Sequence, residues 1–174
     1  PGRSRHRGGV LLFERDGGEP LCLADAHEIT RIRTACASAV ATDALARRDA
    51  RVLAIFGTGT QAEAHFHALR LVRHFERIVI WGRDAGRAAA LAVRLASTSG
   101  DPVVAVPEAA EAARQADVIC TTTGAATPVL CHAWLSPGTH VNAVGSSFPG
   151  PVEVDQALVV ASRYVADSRR SALT

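Results

Sequence analysis

The chain has 174 residues, 48% of them hydrophobic, enough for one full α/β domain with a sizeable core and part of a second. Its 19 basic residues are all arginine and nearly balance 17 acids for a net charge of +2, so no broad basic face offers itself to nucleic acid, and Arg3, Arg5 and Arg7 read as a solvated loop. No apolar run reaches the length of a bilayer span, the longest, Val118 to Leu130, being interrupted by Gly124 and Pro128; no membrane partner is expected.

Val10 to Phe13 and Leu21 to Ala24 read as short strands joined by the turn-rich Arg15 to Pro20, a hairpin ahead of the main unit. Glu28 to Ala46 reads as a helix, with Ile29, Ile32, Ala35 or Cys36, Val40 and Leu45 as its apolar stripe. Val52 to Phe56 is a buried strand, and Gln61 to His74 an amphipathic helix with Ala62, Phe66, Leu69 and Val72 facing inward. His65 and His67 stand two apart, hence on different faces, which suits solvated or partner-facing side chains and not a metal pair. The strand Ile78 to Trp81 leads to an Ala-rich helix ending near Ser97. Then come a strand Pro102 to Val106, a short helix Glu108 to Arg114 and a buried strand Asp117 to Thr121. Trp134 and Leu135 form a short turn or helix, and His140 to Val144 is the next strand. Leu158 to Ala161 and Tyr164 to Ala166 are read as final strands, with Asp155 and Asp167 capping or orienting downstream segments and Ser168 able to open a helix.

Alternating strands and helices predict right-handed crossovers and a doubly wound parallel α/β sheet. Gly57, Gly59 and Ala62 fit a GxGxxA fingerprint: a tight turn, a close backbone approach to pyrophosphate, and close helix packing. The helix N-terminus behind it favours a phosphate, so Gly57, Thr58, Gly59, Thr60 and Gln61 are expected to bind the dinucleotide of a Rossmann-type domain. Ligands collect at the carboxyl ends of such strands, which groups the loops after Phe56, Trp81, Thr122 and Val144 around one crevice. At the second strand's end Trp81, Gly82 and Arg83 offer a cation for a 2′-phosphate where an NAD enzyme usually has an acid; NADPH is favoured, Asp84 keeps NADH open, and Arg83 also fits a surface residue at a helix start. Thr121 and Thr122 either line the crevice or are ordinary β-branched strand residues, while Asn142, Val144 and Gly145 could meet nicotinamide. Cys22, Cys36, Cys120 and Cys131 form no CxxC pair; without a signal peptide they read as reduced, mostly buried thiols of a cytoplasmic protein, and no metal site is suggested. The absence of methionine leads us to expect a chain that begins inside a longer protein, and the absence of lysine means that any amine chemistry must come from outside these residues.

Four motifs coincide: RTACASAVA at Arg33 to Ala41, GTGTQA at Gly57 to Ala62, ADVICTTT at Ala116 to Thr123, and PGTHVNAVGSSFPG at Pro137 to Gly150. Together they resemble the ornithine cyclodeaminase and mu-crystallin family from Val10 to Leu173. The resemblance implies a dinucleotide-binding domain over residues 50–174 and, over residues 1–49, part of a substrate and dimerisation domain that members build from both chain ends. The full-length protein would then be a homodimer, and this chain an excerpt lacking both ends. Arg33 matches the family arginine that clamps the substrate carboxylate, with Thr34 beside the cofactor; a guanidinium holds a carboxylate bidentately. Without the motif Arg33 would read as a surface helix residue. The family's catalytic lysine lies upstream of the hairpin, so the excerpt alone is expected to be inactive. Ser147 stands where cyclodeaminases carry an acid/base aspartate and the imine reductases a serine, and a hydroxyl is a poor general base at neutral pH. The implied activity is NAD(P)H-dependent reduction of a cyclic ketimine acid of the pyrroline or piperideine carboxylate type. The alternatives are a cyclodeaminase or amino-acid dehydrogenase of the same family, a non-catalytic NADPH-dependent ligand carrier, or a Rossmann remnant without an active site.

Overall fold

The structure is a computed structural model that describes residues 8–146, 150 and 152–168. Arg3, Arg5, Arg7 and Ser147 lie outside the described residues. An antiparallel hairpin, β1 (Gly9–Phe13) and β2 (Pro20–Asp25), leads into α1 (Ala26–Leu45). Next in the chain are β3 (Val52–Phe56), α2 (Thr60–Leu69), β4 (Arg77–Trp81), α3 (Ala85–Ser99), β5 (Val103–Ala105), α4 (Ala109–Arg114), β6 (Val118–Thr121), β7 (His140–Ala143) and α5 (Gln156–Ala161), with a 3₁₀ turn at His132–Trp134.

The five strands from β3 onward form one parallel sheet in the order β5-β4-β3-β6-β7. Successive side chains of a strand face opposite sides, and β3 feeds two cores accordingly. Leu53 and Ile55 join Phe66 and Leu69 of α2 with Leu91 and Leu95 of α3, whereas Ala54 and Phe56 join Ala112 and Ala113 of α4 with Leu130 and Leu158. A sheet buried on both faces explains why its strands read as continuous apolar runs. The chain reverses its winding direction between β3 and β6, and the carboxyl edge at such a switch point is where sheets of this kind bind ligands.

Four features depart from the sequence expectation. Leu158 to Ala161 belongs to α5, because Asp155 accepts from the Leu158 N–H at 2.9 Å and caps a helical turn; Tyr164 to Ala166 forms no strand. A short apolar run does not reveal its own period. Helix α2 stops at Leu69, where the N–H groups of Leu71 and Val72 turn to carbonyls three residues back and tighten the end of the helix. In α1 the buried stripe is Ala35, Ser38, Ala39 and Thr42, whereas Ile29, Ile32, Val40 and Leu45 are exposed. Small residues on that stripe let α1 lie close against α2, so the larger side chains face outward. Finally, only Cys120 is buried; Cys131 is half-buried, Cys22 and Cys36 are exposed, and all four are free thiols.

Candidate functional site

The loop after β3 is fixed by backbone geometry. Gly57 has φ +134°, a conformation L side chains rarely adopt, and a Cβ there would stand 2.5 Å from the Thr122 hydroxyl and 3.0 Å from its carbonyl. Its N–H donates to the Trp81 carbonyl at 2.8 Å, and Thr122 donates to the Phe56 carbonyl through both N–H (2.8 Å) and hydroxyl (3.1 Å). A Cβ on Gly82 would meet the Thr58 methyl at 2.5 Å, so the loops after β3, β4 and β6 are in mutual contact. Gly59 differs: among the described residues nothing lies within 4 Å of where its Cβ would be, and it caps α2 without a side-chain hydrogen bond. The first N–H groups of α2 therefore open onto free space beside a glycine, the arrangement an anion needs.

Helix α1 runs alongside. Gln61 donates from Nε2 to the Thr30 carbonyl at 3.4 Å, Ser38 meets His65 at 3.0 Å, and Arg73 pairs with Asp43 at 2.6 Å. Contacts in this ascending order mean that α1 and α2 run in the same sense, so the Thr30 to Thr34 turn lies at the glycine-loop end. Two buried polar atoms there have no hydrogen-bond partner among the described residues, Thr34 Oγ1 and Gln61 Oε1. Unpaired buried polar atoms are rare in folded chains and call for a partner from outside the fold or an ordered water. Arg33, one residue away, is exposed and makes no ion pair or hydrogen bond among the described residues.

At the second strand's end Arg83 is exposed with no partner among the described residues, and Asp84 caps α3 by accepting from the Arg87 N–H at 3.0 Å. Trp81 is turned into the fold: its indole donates to the Pro107 carbonyl at 3.2 Å and its ring leans on Phe56. Asn142 is likewise buried, giving its amide to Thr42 at 2.9 Å and facing His140 through its carbonyl at 3.3 Å. Alternation along β7 explains this, since Asn142 pairs in register with Cys120 and shares its face of the sheet toward α1. Thr121 is fully buried, so its hydroxyl cannot itself reach a ligand. Val144 and Gly145 continue the ladder, both N–H groups reaching the Thr121 carbonyl, at 3.0 and 3.3 Å.

His65 is a core residue and not the solvated one expected. Its Nδ1 faces the Gln61 carbonyl at 2.7 Å and its Nε2 the Ser38 hydroxyl at 3.0 Å, which suits a neutral ring that donates at the first nitrogen and accepts at the second. Burial holds its pKa below the ordinary histidine value, against the opposing pull of the Gln61 carbonyl. The same burial lowers His140, and drives the Cys120 thiol so far up that it stays protonated and inert.

The residue that sequence reasoning missed is Glu153. It is fully buried, and its carboxylate accepts from the Thr121 hydroxyl (2.9 Å), the Thr123 N–H (2.5 Å) and hydroxyl (2.7 Å), and the Gly145 N–H (2.6 Å). One side chain thus ties the loop after β6 to the loop after β7. The available signal was an acid in an apolar setting, Val152-Glu153-Val154, eight residues beyond the last strand's exit glycine.

A parallel sheet of this order, with an open glycine loop at the start of the helix after its central strand, defines a dinucleotide-binding α/β protein. The family model described as "Ornithine cyclodeaminase/mu-crystallin family" matches residues 2–173, and the chain belongs to that family. Delta(1)-pyrroline-2-carboxylate reductase of Bacillus cereus is 39% identical over 173 residues, 99% of this chain and 53% of the relative. Ketimine reductase mu-crystallin of Mus musculus is 38% identical over 168 residues, 97% of this chain and 52% of the relative. The solved Delta(1)-pyrroline-2-carboxylate reductase of Thermococcus litoralis, in complex with NADH and L-proline, superposes with a TM-score of 0.73 at 33% identity, over 76% of this chain and 41% of that one. The chain thus spans about half the length of the curated relatives it matches. Among the described residues no group of His, Cys, Asp or Glu could hold a metal ion, and no helix is long and apolar enough to cross a membrane.

Proposed function

We propose that the protein containing this chain is an NAD(P)H-dependent reductase of cyclic ketimine acids of the pyrroline- or piperideine-2-carboxylate type. The observation that carries the reading is the open Gly59 cradle beside two unpartnered buried polar atoms, Thr34 Oγ1 and Gln61 Oε1, with the free Arg33 guanidinium next to them. The relatives that reduce such imines support the choice of substrate.

In this reading the N–H groups opening α2 hold the pyrophosphate, and Thr34 and Gln61 spend their free oxygens on the same molecule. Arg33 takes the substrate carboxylate, a charge-assisted pair contributing about 1.5–3 kcal/mol. A bound nicotinamide supplies hydride to an imine carbon. Ser147, a hydroxyl where cyclodeaminases of the family carry a carboxylate, disfavours redox-neutral ammonia elimination. Arg83, unpaired at the end of β4, favours NADPH over NADH by suiting a 2′-phosphate, while Asp84 is engaged as the cap of α3. Residues 1–49 belong on this reading to the substrate and dimerisation domain and residues 50–174 to the dinucleotide domain, and the full-length protein is a cytoplasmic homodimer that requires a lysine supplied from outside this chain. The hairpin's exposed Leu11, Leu12, Phe13 and Leu23 are consistent with that division.

Fluorescence titration with NADPH and NADH, with and without pyrrole-2-carboxylate as a planar substrate mimic, tests the reading. We expect both nucleotides to bind and the carboxylate to tighten them. A folded chain that binds neither overturns it.

A further inference from the structure

We infer that Glu153 is a positioning residue that builds the nicotinamide half of the crevice. The inference rests on the dinucleotide reading of the site and assigns a task to a residue that neither the glycine fingerprint nor the substrate clamp involves.

A fully buried carboxylate is costly unless every lone pair is used. That of Glu153 has no cation beside it among the described residues; hydrogen bonds satisfy it instead. Oε1 accepts from the N–H and hydroxyl of Thr123, on the loop leaving β6, and Oε2 from Thr121 and from the N–H of Gly145, on the loop leaving β7. No neutral side chain can accept from both backbone N–H groups and both hydroxyls at once. The main chain of Glu153 is anchored too: its carbonyl accepts from Val129 (2.8 Å) and Leu130 (3.0 Å), and its N–H donates to the Ser146 hydroxyl at 3.0 Å. The carboxylate is therefore a rigid clamp on two loops and not a mobile group on either.

Those two loops lie on one side of the switch point, and the glycine loop with the end of β4 lies on the other. A dinucleotide spanning a doubly wound sheet puts one mononucleotide on each side. Since the fingerprint side takes the adenosine and pyrophosphate, the loops that Glu153 clamps take the nicotinamide mononucleotide. Thr121, fully buried, acts there only through Glu153.

The substitution Glu153→Gln isolates this role. An amide replaces one oxygen by an N–H donor, and each carboxylate oxygen faces a backbone N–H, so whichever way the amide sits one loop meets a donor and is released. The test is titration of wild type and variant with NADH and with ADP, which carries only the adenosine and pyrophosphate portion, alongside thermal melts. We expect the NADH Kd to rise about tenfold or more, roughly 1.4 kcal/mol, with the ADP Kd held within about twofold. Should Glu153→Gln fail to fold, Thr121→Val removes one donor at nearly constant shape and is expected to shift the NADH-to-ADP ratio the same way, about threefold. Equal changes for both nucleotides, or no change in either, would reduce Glu153 to general support of the fold and overturn the inference. A wild-type chain that binds neither NADH nor NADPH ends the dinucleotide reading and the inference with it.

Discussion

The two halves of the sheet's carboxyl edge are held by opposite means. On the β3–β4 side the loops are fixed by what is missing: Gly57 turns where a side chain would strain, and Gly82 leaves the space that Thr58 fills. On the β6–β7 side they are fixed by what is added, a buried carboxylate with four donors converging on it. The first device rests on single glycines, Gly57 and Gly59 in a short motif and Gly82 at the end of β4, although Gly57 packs on Thr122 and Gly82 on Thr58. The second joins residues 8 to 32 positions apart that share no motif. Loss of a glycine strains the backbone itself, whereas loss of the carboxylate frees two loops whose strands stay in register.

The largest effect is expected where the two devices meet, at Gly145. A Cβ there would overlap the Thr123 carbonyl and stand 2.6 Å from the Glu153 carboxylate, and neither atom belongs to a flexible exposed chain end. Gly145→Ala should cost about 3 kcal/mol or more through overpacking and lost hydrogen bonds to the carboxylate. For a domain of this size that is a fall in Tm of roughly 6–12 °C. Its nucleotide phenotype should match that of Glu153→Gln, with NADH weakened more than ADP. Gly57→Ala comes next, at about 2–3 kcal/mol for a positive φ combined with crowding against Thr122. Here ADP and NADH affinity should fall together, because the pyrophosphate loop serves both. If the two alanine variants share one binding pattern, the halves are not separately held.

Legibility in the sequence divides along the same line. The strands of the sheet, the hairpin, the glycine loop and the Asp155 cap arise from local patterns whose physical causes act within a few residues. Glu153 was invisible because its partners are assembled by the sheet, and a single acid between valines carries no spacing to read. The apolar stripe of α1 misled for a related reason. Ile29, Ile32, Val40 and Leu45 have helical periodicity, but the face against α2 is chosen by closeness of approach, which Ala35, Ser38, Ala39 and Thr42 allow. His65 was misplaced with them, since its burial needs the Ser38 hydroxyl across that seam as well as the Gln61 carbonyl of its own helix. Periodicity shows that a helix has two faces without showing which one the rest of the fold covers.

That seam gives a third, smaller prediction, in pH. His65 and His140 both have folded-state pKa values lowered by burial, so the unfolded chain binds protons more readily than the folded one. Their contribution to stability is fully present above the unfolded value of about 6.5 and is lost as pH falls from there toward the folded values. Urea midpoints should therefore decline between pH 7.5 and pH 5.5, and His65→Gln should flatten the decline while lowering stability at every pH. A decline of equal steepness in the variant would remove His65 from the account. Neither glycine substitution should alter this slope, because the seam lies across the sheet face from the Glu153 clamp.

The smallest expected effect concerns the β3–β4 half alone. Arg83 makes no hydrogen bond or ion pair among the described residues, so Arg83→Ala should leave Tm within about 2 °C, as surface substitutions usually stay within about ±0.5 kcal/mol. What it should change is the choice of dinucleotide. A guanidinium on a 2′-phosphate at an exposed edge contributes a charge-assisted bond of about 1.5 kcal/mol, so NADPH affinity should fall roughly tenfold with NADH nearly unchanged. The effect should also shrink as salt is raised, since an exposed pair is screened over about 10 Å at 0.1 M. A ratio of NADPH to NADH affinity that is the same in variant and wild type would transfer cofactor choice to the backbone around Gly82. Asp84 would remain as the cap of α3, and the β3–β4 half would then be governed by glycines alone.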